Sequence, residues 1–255
     1  MKVSIIIPVY NEAKSFEKLL KKVLAVKLPI QKEILIIEGG STDGTTQLVH
    51  KYDTYTKSTD KNSKNTDTTQ KNTIRTFYVT EHFGKGYKVR YGIKKSTGDI
   101  ILIQDADLEY DPNEYPELLA PIIKGTTSFV LGSRHMQKKT WKIREFDYSR
   151  WYGRLIDGLD AGFKYFFALL YGIYITDPNT MYKIFRKDCL KRMTLRSNNF
   201  DLDMELLAKL LKKGYKPIEL PVSYKGRSRE EGKKIRIVKD GIRAIWTTIK
   251  YRIVD

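Results

Sequence analysis

Asp99-Ile-Ile-Leu-Ile-Gln-Asp105-Ala106-Asp107-Leu-Glu109 is an apolar run that ends on carboxylates. Four consecutive apolar residues, three of them β-branched, read as a strand buried on both faces, as a parallel sheet between helical layers requires. Just beyond it, carboxylates at i and i+2 can aim hard oxygen donors at one point. Such a pair suits Mg²⁺ or Mn²⁺ and leaves positions open for phosphate oxygens. Asp105 and Asp107 are the candidate metal ligands, and Glu109 is a further ligand or a partner behind them.

Around this stretch, short apolar runs alternate with amphipathic ones. Strands are expected at 3–9, 33–38, 75–80, 99–104 and 128–132, with helices at 13–25, 45–52, 85–95 and 113–123. This rhythm predicts an α/β fold: a Rossmann-like, mostly parallel central sheet flanked by helices, with ligands at the carboxyl ends of the strands.

Two further strand ends carry polar groups. In Pro8-Val-Tyr10-Asn11-Glu12, Pro8 and Asn11 terminate the first strand, and Asn11 is expected to cap the next helix. Tyr10 and Glu12 would face the same crevice as Asp105, where a ring and a carboxylate suit a nucleoside. Glu38-Gly-Gly-Ser-Thr-Asp43-Gly-Thr45 combines glycines with helix-starting Ser, Thr and Asp, and a helix N-terminus there can hold an anion. Gly84-Lys85-Gly86 is a similar turn. Neither is a P-loop, because no Gly-Lys-Ser/Thr closes it.

Of 255 residues, 47 are Lys or Arg and 30 are Asp or Glu, a net charge of +17. The excess is lopsided: 20 basic against 16 acidic in residues 1–137, and 27 against 14 in 138–255. A basic half points to nucleic acid, an anionic membrane or phosphorylated ligands. The sequence holds no recognisable nucleic-acid module, so a nucleic-acid or non-catalytic nucleotide-binding protein is the minor reading. The single Cys189 rules out an intrachain disulfide. Residues 1–13 are expected to open on a strand rather than a signal peptide, and no segment reaches the ~20 apolar residues of a membrane span.

Residues 53–73, nearly all Thr, Lys, Asn, Asp and Ser, are expected to be a disordered insertion. A Trp/Tyr/Phe-rich region covers 141–174. A helix is expected at 203–213, a strand at 216–223 and a basic loop at 224–234. The last helix, at 235–254, carries Val238, Ile242, Ile245, Trp246, Ile249 and Ile253 on one face. With its Lys and Arg residues it suits an anionic membrane surface, and 163–175 could lie at that interface.

In this order, IIIPVYNE, EGGSTDGT, GKGYKVRYG, DADLEYDP and GSR resemble family 2 glycosyltransferases of the GT-A fold. The later DPNTMYKIFR, FDLDMEL and GRSREEGKKI resemble the dolichol-phosphate mannose synthase and polyprenyl-phosphate glycosyltransferase branch. The resemblance covers nearly the whole chain apart from 53–73. It implies a catalytic domain over 1–225, with 226–255 as an appended basic loop and membrane-associated helix.

The resemblance also implies roles by position. Pro8, Tyr10, Glu12 and Glu38 would contact the donor's nucleoside, and Lys85 would lie by the nucleotide. Asp105 and Asp107 would bind Mg²⁺ or Mn²⁺, with Ala106 contributing main-chain contacts. Glu109 stands where mannose synthases often have glutamine as an additional ligand. Arg134 would neutralise phosphate, and Arg227, Arg229 and Lys233 would lie over the diphosphate or acceptor phosphate. Two departures bear on the donor: the usual Asp-Asp-Gly-Ser is Glu38-Gly39-Gly40-Ser41, and Glu109 adds a charge near the metal.

The implied reaction moves a hexose, with inversion, from a nucleotide sugar of the GDP-mannose or UDP-glucose type to a polyprenyl or dolichyl phosphate. Such an acceptor is already anionic and needs no base. The alternative acceptor, a glycan hydroxyl, needs one, and Asp201, Asp203 and Glu205 are the candidates. Asp201 and Asp203 read first as helix-start charges, which leaves Glu205 as the catalytic candidate. Expected partners are the nucleotide-sugar donor, the lipid phosphate, the cytoplasmic face of a membrane and a membrane-anchoring protein. Nucleic acid is not expected.

Overall fold

The computed structural model describes residues 1–53, 73–79, 83–136, 150–227 and 237–254, with the backbone alone at 150–156 and 237–240. The insertion expected at 53–73 therefore falls, apart from its two end residues, outside the described residues, as do Arg229 and Lys233.

The elements run β1 (Lys2–Val9), α1 (Phe16–Ala25), β2 (Gln31–Glu38), α2 (Thr45–His50), β3 (Thr73–Tyr78), α3 (Lys85–Lys95), β4 (Ile100–Ile103) and α4 (Tyr115–Ile123). They continue with β5 (Phe129–Ser133), α5 (Arg150–Tyr171), β6 (Lys183–Arg186), α6 (Leu202–Lys212), β7 (Ile218–Pro221) and α7 (Ile237–Ile253). Seven strands form one sheet in the order β3-β2-β1-β4-β6-β5-β7. Its neighbours are parallel except at β6, which runs antiparallel to both β4 and β5. Ile5, Ile6, Ile34, Ile36, Ile101 and Leu102 are wholly buried, as continuous apolar strands between helical layers must be. The expected α/β architecture with a mostly parallel sheet is the one observed.

β6 escapes a pattern-based reading because it is four residues long and starts on Lys183. That lysine is fully buried, and its ammonium donates to the carbonyls of Pro178 and Thr180. A buried cation satisfied by main-chain oxygens breaks the hydrophobic signature without breaking the strand. A second buried lysine closes α1: Lys32 Nζ donates to the carbonyls of Val23 (2.7 Å), Leu24 (2.9 Å) and Val26 (2.6 Å). These are the acceptors that a helix C-terminus leaves unsatisfied.

One local expectation is corrected and another gains a reason. Asn11 does not cap α1, which starts at Phe16. It takes a left-handed φ of 49°, and its side chain accepts from the Thr42 N–H at 2.8 Å, tying the ends of β1 and β2 together. The two glycines of the Gly84-Lys85-Gly86 turn, read above only as a turn before a helix, pack against residues 197–199. A methyl group at Gly86 would lie 2.6 Å from the Asn199 carbonyl oxygen, so the glycine lets α3 lie flush on the 197–199 backbone.

The last helix also turns out differently from an ordinary core helix. Thr247, Thr248 and Tyr251 form its buried side, while Ile242, Ile245, Trp246 and Ile253 face outward. α7 is fastened to α5 by Tyr171 Oη donating to the Thr248 carbonyl (2.9 Å) and Arg252 Nε to the Leu170 carbonyl (2.7 Å). On α5, Leu159, Tyr165 and Leu169 are exposed as well, Leu169 at 84%. No helix among the described residues is long and apolar enough to cross a membrane.

Candidate active site

β4 ends at Ile103 and delivers Gln104, whose side-chain oxygen accepts from Tyr115 Oη (2.7 Å) and Tyr182 Oη (2.8 Å) and so fixes the turn that follows. Asp105 and Asp107 come next. Lys85, at the start of α3, sets its ammonium 2.9 Å from Asp105 Oδ1 and 3.8 Å from Asp203 Oδ2. Asp107 Oδ1 accepts from the Glu109 N–H at 3.0 Å, an Asx-type turn that leaves Oδ2 to face Arg227 at 2.9 Å.

Arg227 is the centre of the other half of the site. Its Nη1 lies 2.9 Å from Glu12 Oε2, and Nη2 reaches both Glu12 Oε1 (3.3 Å) and Asp107. Glu109 is near enough for its charge to raise both Asp105 and Asp107. Its carboxylate accepts from Tyr224 Oη (2.8 Å) and from the Arg227 N–H (2.9 Å), while its carbonyl accepts from the Lys225 N–H. Glu109 thus clasps the 224–227 segment over the strand ends.

Burial pushes Asp105 above the usual carboxylate range against the pull of Lys85. Burial also raises Asp107, the charges of Asp105 and Glu109 add to the effect, and its pKa reaches about 7 despite Arg227. Burial works against Lys85 and Arg227, yet the surrounding carboxylates hold both well on the protonated side. The donor set fits a divalent cation: two neighbouring carboxylates, Asp107 buried and Asp105 half-buried, met here by two protein cations. Among the described residues, no three acidic, His or Cys side chains are grouped to hold a metal alone. The fit is to a cation that shares two carboxylates and takes its remaining oxygens from a ligand.

Arg134 follows β5 and is gripped by Asp177. Nε and Nη2 each lie 2.7 Å from a carboxylate oxygen, and the Arg134 N–H adds a third bond at 3.0 Å. Burial alone would raise Asp177, but the guanidinium outweighs it and holds the carboxyl below its ordinary range. Tyr224 lies against the guanidinium, 5.1 Å from ring centre to Cζ. Arg134 is therefore tied to the same 224–227 segment as Arg227.

The remaining expected residues divide. Glu12 lies in the cluster, and Ser15 Oγ donates to its carboxylate at 2.7 Å. The same hydroxyl lies 3.0 Å from the Ala106 carbonyl oxygen, so its one proton is shared between the two acceptors. Tyr10 sits half-buried at the end of β1, under the ammonium of Lys88. Pro8 is buried within β1. Glu38 commits both oxygens to its own turn, accepting from the N–H groups of Gly40 (2.9 Å) and Ser41 (2.7 Å).

Glu205 lies away from the cluster, contrary to expectation. It is fully buried, accepts from the N–H groups of Arg196 and Ser197, and pairs with Lys209 at 3.1 Å. Asp203, read first as helix-start charge, is the acidic residue of that motif beside Lys85. Two residues along α6, about half a turn, put the two side chains on different sides, and only packing against α3 decides which meets the crevice. Sequence reasoning also passed over Asp177, Tyr224 and Lys88. Of these, Lys88 had a signal, because i+3 spacing from Lys85 puts both on one side of α3.

Strand-end carboxylates beside basic side chains, on this sheet, define a Rossmann-like protein of the GT-A fold. The chain belongs to glycosyl transferase family 2, whose family model matches residues 4–192. It is 27% identical over 252 residues to the dolichol-phosphate mannosyltransferase of Pyrococcus furiosus, covering 98% of this chain and 64% of that protein. It is 23% identical over 197 residues to the dodecaprenyl-phosphate galacturonate synthase of Rhizobium johnstonii, covering 76% of this chain and 51% of that protein. The chain thus spans about half to two thirds of the length of these relatives. Among solved structures, glucosyl-3-phosphoglycerate synthase from Mycobacterium tuberculosis, in complex with Mn²⁺, UDP and phosphoglyceric acid, shares the fold. The TM-score is 0.67 at 16% identity, over 100% of this chain and 79% of that one.

Proposed function

We propose that this chain transfers a hexose from a nucleoside-diphosphate sugar to a polyprenyl phosphate. The observation that carries the reading is the pair of half-buried Asp105 and buried Asp107, charge-compensated by Lys85 and Arg227, at the carboxyl edge of a family 2 sheet. Relatives named for dolichol-phosphate and dodecaprenyl-phosphate sugar transfer support the acceptor class.

In this reading Asp105 and Asp107 hold Mg²⁺ or Mn²⁺. The bound cation supplies Lewis-acid stabilisation of the departing diphosphate. Lys85 and Arg227, already beside the pair, add positive charge where the leaving group gains negative charge. Arg134, oriented by Asp177, presents a further cation, and Glu109 keeps the 224–227 segment closed over the site. The acceptor phosphate attacks the anomeric carbon from the opposite face without a base. For a glycan hydroxyl acceptor, Asp203, which lies beside Lys85, is the candidate base in place of Glu205.

The membrane supplies the acceptor. The outward apolar side chains of α5 and α7, with Lys250 and Arg252 beside them, suit the interface of an anionic bilayer. Neither this surface nor the relatives single out an anchoring partner protein. The test is a screen of UDP- and GDP-sugars against polyprenyl phosphate and against soluble glycans, with Mg²⁺ or Mn²⁺. Nucleotide release that needs the lipid phosphate supports the reading. Release only with a glycan overturns the acceptor assignment.

A further inference from the structure

Tyr224 stands between the two arginines of the site. Its hydroxyl donates to Glu109 Oε2 at 2.8 Å, and the other oxygen of that carboxylate accepts from the Arg227 N–H at 2.9 Å. Its ring lies 5.1 Å from Cζ of Arg134, whose direction is set by three bonds to Asp177. Tyr110 closes a third side: the two tyrosines pair through an antiparallel bridge, and their rings meet edge to face at 5.2 Å. Burial and then the charge of Glu109 hold the Tyr224 phenol protonated despite Arg134, so it stays a donor. Arg227 ends this chain of contacts. Its two Nη atoms engage Glu12 and Asp107, but its Nε is buried, makes no hydrogen bond and stands 3.6 Å from Glu109 Oε1. A buried guanidinium N–H without an acceptor calls for one, and a ligand oxygen beside the carboxylate pair would supply it.

Resting on the nucleotide-sugar reading above, we propose that Tyr224 is a positioning residue that, through Glu109, keeps the Arg227 Nε–H available for an oxygen of the donor's diphosphate. Tyr224 does not touch the ligand in this role and acts only through where it holds Glu109. The fixed guanidinium of Arg134 and the Tyr110 ring are the walls that hold the phenol in place. With the hydroxyl present, one oxygen of Glu109 is drawn away to Tyr224 and the gap to Nε stays open. Without it, the carboxylate is free to turn and take Nε as well as the main-chain N–H. Such a charge-assisted pair is strong, and it would spend within the protein the donor that the ligand needs. Phenylalanine keeps the ring face against Arg134 and Tyr110 and lacks only the donor, so one atom separates the two states.

The experiment is equilibrium binding of UDP and of GDP, each with Mg²⁺, to the unaltered chain, Tyr224→Phe, Arg227→Gln and the double variant. Urea unfolding of all four proteins accompanies it. Tyr224→Phe weakens the tighter-binding nucleotide by about fivefold or more, the low end of couplings between sites, with its unfolding midpoint close to that of the unaltered chain. In the Arg227→Gln background the same change alters affinity by less than about twofold, because the group that Tyr224 positions is gone. A tyrosine with a merely structural role gives the same loss in both backgrounds, and that result overturns the inference. So does a Tyr224→Phe variant that binds as tightly as the unaltered chain. In either case the nucleotide still binds and the donor reading stands. If the unaltered chain binds neither nucleotide, the donor reading itself falls, and this inference falls with it.

Discussion

Arg227 Nη2 lies 2.9 Å from Asp107 Oδ2, so a residue of the basic segment near the end of the chain neutralises the middle of the carboxylate motif. The same guanidinium holds Glu12 at the end of β1. One cation therefore ties three distant parts of the sequence into one acid–base cluster, at the place proposed for a divalent ion.

Asp107→Asn keeps the shape of the turn but removes a charged oxygen donor. Metal-dependent sugar transfer should fall by about 10²–10³-fold, the usual cost of losing one preorganised electrostatic group, with unfolding curves little changed. Undiminished turnover would remove Asp107 from the metal site.

Arg227→Gln leaves Glu12 and Asp107 without their shared cation. The metal-free protein should lose about 1–2 kcal/mol of stability, because the pair is mostly but not wholly shielded from water. Added Mg²⁺ or Mn²⁺ should then raise the melting temperature more than in the unaltered protein. Equal metal-induced shifts in the two proteins would contradict the compensation argument.

Asp160 gives a pH test outside the site. Burial opposes its ionisation, but hydrogen bonds from His135 and Lys164 outweigh that and bring its pKa down to about 2. A depressed folded-state pKa gives stability that is fully present above the unfolded value of about 3.9 and is lost as pH falls through about 2. Acid-unfolding curves of Asp160→Asn and the unaltered protein should therefore differ above pH 4 and draw together toward pH 2.

Lys32→Met removes the ammonium that closes α1. Two of the three carbonyls it satisfied, those of Val23 and Val26, are buried, and the loss should be about 2–3 kcal/mol in urea unfolding. A change below about 0.5 kcal/mol, the scale of ordinary surface substitutions, would mean that the helix end relaxes onto other donors.

Leu169→Glu combined with Trp246→Glu tests the outward face of α5 and α7. Both side chains are exposed, Trp246 at 65%, so thermal stability should hold. Affinity for anionic vesicles in a sedimentation assay should drop at least about tenfold, since each lost apolar anchor is worth on the order of 1.5 kcal/mol or more. Unchanged sedimentation would direct attention to another surface.

The strand-end edge was legible in the residues. Apolar runs such as IIIPV and IILI can only be buried strands, and whatever follows such strands in a parallel sheet comes to one edge. Tyr10, Glu12, Lys85, Asp105 and Asp107 all follow such runs, so the sequence alone gathers them at that edge. β6 was not legible, because a buried lysine interrupts its pattern.

What only the tertiary structure decided is the direction of each side chain and the partner it meets across the chain. Asp203 rather than Glu205 faces Lys85 because α3 packs on the 197–199 backbone. Glu109 meets Tyr224 and Arg227 across the chain, and Lys88 fills the space above Gly39. The apolar stripe of α7 was plain in the sequence, but its outward direction depended on Thr247, Thr248 and Tyr251 finding the core. Local pattern governs which segments form strands and helices, whereas long-range packing chooses among the faces each segment offers. That choice is what turned Asp105-Ala106-Asp107 from three letters into a charged site.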